Sequence, residues 1–143
     1  MKNLIFIFLF CSLNSAAQTI NKQITYLEIK SKGVIDSTLV IINSNRIVSI
    51  KNGEEKIINT KYKEPLLQFI KDFFITKNAP IFKQRERIEG YTYSEHYSLT
   101  INVTFNDNEK DNYYINLSED NYKVEYSEEF KEFLKFFYRK IDD

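Results

Sequence analysis

The chain has 143 residues, with 20 basic and 20 acidic side chains, one histidine and one cysteine. That balance leaves no basic field to draw in nucleic acid or an anionic membrane. A single cysteine excludes a disulfide scaffold and Cys-rich zinc or iron–sulfur centres, and three scattered glycines cannot form a phosphate-cradling loop.

Residues 1–17 read as a secretory signal. Lys2 supplies the positive start, Leu4 to Leu13 is an uncharged apolar run, and Ser15 and Ala17 give the small-residue pattern expected before cleavage. Ten residues are far short of the roughly 20 needed to span a bilayer as a helix, so no transmembrane anchor is expected. Cys11 offers a minor alternative, lipid attachment, against which stands Phe10 where a small residue belongs. Cleavage after Ala17 leaves residues 18–143, a length that suits one domain with its own core. Lys2 is the only charge removed, so this part carries 19 basic and 20 acidic groups and no cysteine. The expected address is periplasmic or secreted.

The first half reads as extended over 24–31, 34–42 and 46–51, punctuated by Gly33, the Asn43-Ser44-Asn45 cluster and Gly53. A helix is expected from Pro65 to about Lys77. Leu66, Phe69, Ile70, Phe73 and Phe74 fall on one stripe, and Asn78-Ala79-Pro80 ends it. Residues 81–89 and 90–96 read as extended again. From Tyr97 to Phe105, apolar residues alternate without exception with Ser98, Thr100, Asn102 and Thr104, which predicts a half-buried strand. Asn106 to Lys110 is turn chemistry, and Tyr113, Ile115 and Leu117 resume the alternation on a returning strand. Tyr122, Val124 and Tyr126 add a short strand. The last helix, Glu128 to Ile141, places Phe130, Phe133, Leu134, Phe137, Tyr138 and Ile141 on one stripe behind a Ser127 cap.

The fold class is therefore α+β: an antiparallel sheet with two amphipathic helices packed on one face. An ungapped shift of 64 residues lays one helix stripe on the other and the Asn43–Arg46 turn on the Asp107–Lys110 turn. Two readings follow. The domain is a tandem duplication of a strand–strand–strand–helix unit, near 20–78 and 84–141, or two amphipathic helices align by chance. The strands form one continuous sheet or two smaller ones.

Candidate site residues are few. Lys83, Arg85 and Arg87 alternate along one strand and form a basic stripe suited to a carboxylate, sulfate, anionic sugar or acidic partner; edge-strand protection is the favoured explanation. Tyr91 and Tyr93, with Tyr114, Tyr122 and Tyr126, are candidate contact residues, because tyrosine brings area at low entropic cost; capping of a sheet face explains them equally well. His96 is a candidate base, although Glu95 points to the opposite side of an extended chain and cannot orient it. Asp107, Glu109 and Asp111 faintly suggest a calcium loop, but Asn112 and Ser118 stand where glycine and a bidentate glutamate are needed. Asn102 and Asn116 open glycosylation triplets. No cofactor and no metal site are expected. The leading function is a non-enzymatic binding module of the envelope or secreted space, with a protein or polymer partner. The alternatives are a carrier of an apolar small ligand between sheet and helices, and a carboxylate-based hydrolase.

Overall fold

The computed structural model describes residues 22–33, 37–89, 97–118 and 122–142. The predicted cleavage site, the extended segment 90–96, Tyr91, Tyr93 and His96 lie outside the described residues.

Four strands open the fold: β1 (Ile24–Lys32), β2 (Ser37–Ile42), β3 (Ile47–Lys51) and β4 (Glu54–Ile58). Each turn has a local cause. Asn43 Oδ1 accepts from the N–H groups of Asn45 and Arg46, both at 3.0 Å, and closes the β2–β3 turn. Asn52 (φ 53°) and Gly53 (φ 84°) supply the left-handed pair that a two-residue hairpin requires between β3 and β4. The strand β4 was not expected. It reads Glu-Glu-Lys-Ile-Ile, and only Ile58 of the five is buried, so an edge strand leaves no apolar alternation to find.

Asn59 then caps a short 3-10 turn, Thr60–Tyr62, its Oδ1 accepting from the Lys61 N–H. The helix α1 (Lys63–Ile70) follows and widens into a π-turn over Lys71–Ile75. Pro65 sits in its first turn, where a missing N–H costs nothing. The second half contains β5 (Phe82–Arg87), β6 (Ser98–Phe105), β7 (Lys110–Asn116), β8 (Tyr122–Tyr126) and α2 (Glu128–Phe136), which continues as π-helix to Asp142. Ser127 caps α2, its Oγ accepting from the Phe130 N–H at 3.2 Å.

Six strands form one antiparallel sheet in the order β4-β3-β2-β1-β6-β7, and β5 and β8 pair apart from it. The two halves are joined by β1 and β6, paired over the whole of β6 (Ile24 opposite Phe105, Lys32 opposite Ser98). One face of the sheet carries Leu27, Ile29, Val40, Ile42, Ile47, Leu99, Ile101, Val103 and Phe105. Against it pack Leu66, Ile70, Phe73 and Phe74 from α1 and its π-turn, and Phe130, Phe133, Phe137 and Ile141 from α2 and its extension, in one cluster. Both helices thus lie on the same side, as α+β layering requires. Burial of each large side chain contributes about 1.5–3 kcal/mol before entropy is subtracted.

The helix stripes are narrower than expected. Phe69 and Leu134 are half-buried and Tyr138 is exposed; its hydroxyl lies 3.2 Å from Ser31 Oγ, at the margin of the core. Tyr97 also leaves the alternation: β6 begins at Ser98, and the Tyr97 ring is 49% exposed. Both halves run strand–strand–strand–strand–helix. Their pairings differ, because β1 to β4 form a meander whereas β5 pairs with β8 and β6 with β7.

Candidate functional site

An apolar hollow lies where α1 and its π-turn end beside the β7 edge. The chain leaves the π-turn at Thr76, whose N–H and Oγ1 both donate to the Lys71 carbonyl, at 2.9 and 3.1 Å. Lys77 takes a left-handed backbone (φ 53°) and reverses the direction. The Ala79 N–H donates to the Asp72 carbonyl at 3.2 Å, which draws Ala79, Pro80 and Ile81 back alongside the helix end. Between this returning chain and β7 runs an open groove of about 470 Å³. Phe73, Phe74 and Ile115 line it together with Tyr113 and Tyr114, and Lys77 stands at its rim. Phe74 and Tyr113 contact each other with ring centroids 5.7 Å apart. Tyr113 donates to Asp111 Oδ2 at 2.9 Å. Burial, aided by that carboxylate, pushes its hydroxyl pKa up to about 12.

The β7 backbone beside the groove has a defined polarity. The Phe105 N–H donates to the Glu109 carbonyl at 2.9 Å, and the Leu117 N–H donates to the Tyr97 carbonyl at 2.8 Å. In an antiparallel pair hydrogen-bonded residues alternate with non-hydrogen-bonded ones. Asp111, Tyr113 and Ile115 therefore face β6, whereas Asn112, Tyr114 and Asn116 turn their main-chain groups to the outer edge. Among the described residues β7 pairs only with β6.

A second feature is a polar row across the sheet face opposite the helices. Glu28, Asn102 and Asn112 lie side by side on β1, β6 and β7. Asn102 Nδ2 donates to Glu28 Oε1 at 2.8 Å, Asn112 Nδ2 donates to Asn102 Oδ1, and Tyr26 donates to Glu28 Oε2 at 3.3 Å. Desolvation, then the neighbouring Glu28 charge, raises the Tyr26 pKa. Every member is engaged with another, so the row reads as cross-strand stabilisation.

The basic stripe on β5 is split by a register shift between Phe82 and Gln84. Lys83 pairs with Glu125 at 2.6 Å, and this contact raises its pKa. Arg85 lies over the Phe82 ring, 4.7 Å from its centroid, and Arg87 is exposed opposite Tyr122. The Asp107–Lys110 turn is likewise engaged. Lys22 contacts Glu109 and, at 3.7 Å, Asp107; Asp107 Oδ1 accepts from the Glu109 N–H. Among the described residues no three His, Cys, Asp or Glu side chains converge as metal ligands would. No described helix is long and apolar enough to cross a membrane.

Comparison with known families, curated proteins and solved structures finds no match to this chain.

Of the groove residues the sequence singles out only Tyr114, as an outward-facing ring. Phe73 and Phe74 read as core, and Asn78-Ala79-Pro80 only as a helix stop. The available signal was Ala79-Pro80 at the stop of a helix whose last turn carries the adjacent Phe73 and Phe74, which places a backbone wall beside aromatic rings.

Proposed function

We propose that the protein is an exported, non-enzymatic binding module that grips an extended segment of a protein partner along β7. The segment adds as a further strand and places one apolar side chain in the groove. The observation that carries this reading is an apolar groove of about 470 Å³ lying directly along the outer edge of a sheet. Strand addition draws affinity from main-chain hydrogen bonds and specificity from a pocket for alternate side chains; here the groove borders the β7 edge at Asn112–Ile115. Export is proposed from the apolar run and small-residue pattern of residues 1–17.

Two measurements test this. Titration of the isotope-labelled protein with a five-residue threonine peptide carrying one central phenylalanine should shift the amides of Asn112–Asn116 and Ala79–Ile81. Replacing Ala79→Trp, which fills the groove from its rim, should abolish those shifts. Shifts confined to the β5–β8 pair, or none, would move the site elsewhere. For export, the protein recovered from the cell should begin at Gln18; a chain retained in the cytoplasm with Met1 in place would remove that part.

A further inference from the structure

The sheet face opposite the helices is half polar and half apolar, and the apolar half has a symmetry of its own. The strand registers set its side chains in two transverse rows. One runs Ile57, Val48, Ile41, Glu28 across β4, β3, β2 and β1; the next runs Glu55, Ile50, Leu39, Lys30. None of the five aliphatic side chains belongs to the core cluster beneath the helices; Ile57 is 69% exposed, Ile41, Leu39 and Ile50 are half-buried, and Val48 between them is buried by its neighbours. At one end of the second row stands Glu55 and at the other Lys30. Neither has an ion-pair partner among the described residues.

A contiguous aliphatic block of this kind marks an interaction surface. The arrangement of its charges selects the partner. A two-fold axis parallel to the strands, midway between β2 and β3, lays β3 of one copy on β2 of the other and β4 on β1. Position along the strand is unchanged by that operation. Val48 then falls on Ile41 of the other copy, Ile50 on its Leu39 and Glu55 on its Lys30, while Ile57 meets the edge of its Glu28 at the margin of the contact. Each contact occurs twice, as an isologous interface demands. Stacked sheets lie about 10 Å apart, a gap that lysine and glutamate side chains close between them. The apolar block forms the dry centre and the two ion pairs form the rim, the usual anatomy of a protein interface. With 19 basic and 20 acidic side chains in residues 18–143, almost no net charge opposes self-association.

We infer that this face binds a second copy of the chain, β3 on β2 about a two-fold axis, with Lys30 of each copy paired to Glu55 of the other. The inference is independent of the groove, which lies at the opposite end of the sheet order.

Sedimentation velocity over a concentration series of the purified protein tests it, with circular dichroism to verify folding of each variant. The wild type should sediment at twice the chain mass. Lys30→Glu and Glu55→Lys each place like charges together at two points and should weaken the dimer roughly tenfold or more; the double variant should restore it. Glu55 is exposed on an edge strand, so Glu55→Lys keeps the test valid should Lys30→Glu disturb the fold. A wild type that stays monomeric at several hundred micromolar would overturn the inference. So would a dimer indifferent to both reversals, or one that the double variant fails to restore.

Discussion

Phe133→Ala tests the packing argument most directly. The Phe133 ring is fully buried and contacts Phe69, Phe73, Phe130 and Phe137 at centroid distances of 5.6, 6.1, 5.6 and 6.1 Å. It sits where α2 meets the end of α1, so two helices and the sheet lose a shared neighbour when it is truncated. A buried Phe→Ala change costs about 3–5 kcal/mol, because the cavity collapses only in part. Total stability for a domain of this kind is about 5–15 kcal/mol, so the loss is a large fraction of the whole. With a slope of about 2 kcal/mol per molar, the urea midpoint should fall by about 2 M with the slope unchanged. Phe136, three residues on, is only half-buried and touches Tyr62 and Phe69 from the flank. Phe136→Ala should cost about half as much. Equal losses for the two variants, or a loss below about 1 kcal/mol for Phe133→Ala, would show that the stripe does not organise the core as described.

The Tyr113 hydroxyl is protonated in the fold up to about pH 12, against an ordinary value near 10. Its raised pKa contributes stability that is fully present below pH 10 and lost as pH rises toward 12. Urea midpoints measured across that window should fall more steeply for the wild type than for Tyr113→Phe. Ser127→Ala removes the acceptor for the Phe130 N–H and should cost about 1 kcal/mol in urea unfolding; no change would mean that water caps α2 equally well. Replacing Lys83, Arg85 and Arg87 together by glutamine should leave peptide affinity at the groove unchanged and the urea midpoint nearly so, because Lys83–Glu125 is an exposed pair. Loss of peptide binding in that variant would return the site to β5.

The readable parts of this fold are those where one face of an element is buried along its whole length. The alternation from Leu99 to Phe105 and the stripe from Phe130 to Ile141 are direct records of burial, and the hairpin turn between β6 and β7 announces itself in polar residues. Asn52-Gly53 was as clear a hairpin signal as any in the chain, yet the strand beyond it has one buried residue in five and offers no pattern to confirm it. Edge elements are quiet in sequence because water accepts almost any residue there. The β5 stripe shows another limit: a single extra residue at the Phe82–Gln84 shift interrupts the pairing, Lys83 meets Glu125 and Arg85 lies over the Phe82 ring, and alternation cannot foresee a bulge.

Local periodicity thus determined both helices and the strands with a buried face, and which side of each is apolar, since both depend on neighbours within a few residues. Tertiary structure alone decided that β1 lies beside β6, that β5 and β8 leave the main sheet, and that β7 ends it next to the mouth of α1. It also placed Glu55, Ile50, Leu39 and Lys30 in one row. Those outcomes depend on which distant strands bury each other's main-chain groups best, and partners 74 residues apart, such as Glu28 and Asn102, leave no mark on the chain between them.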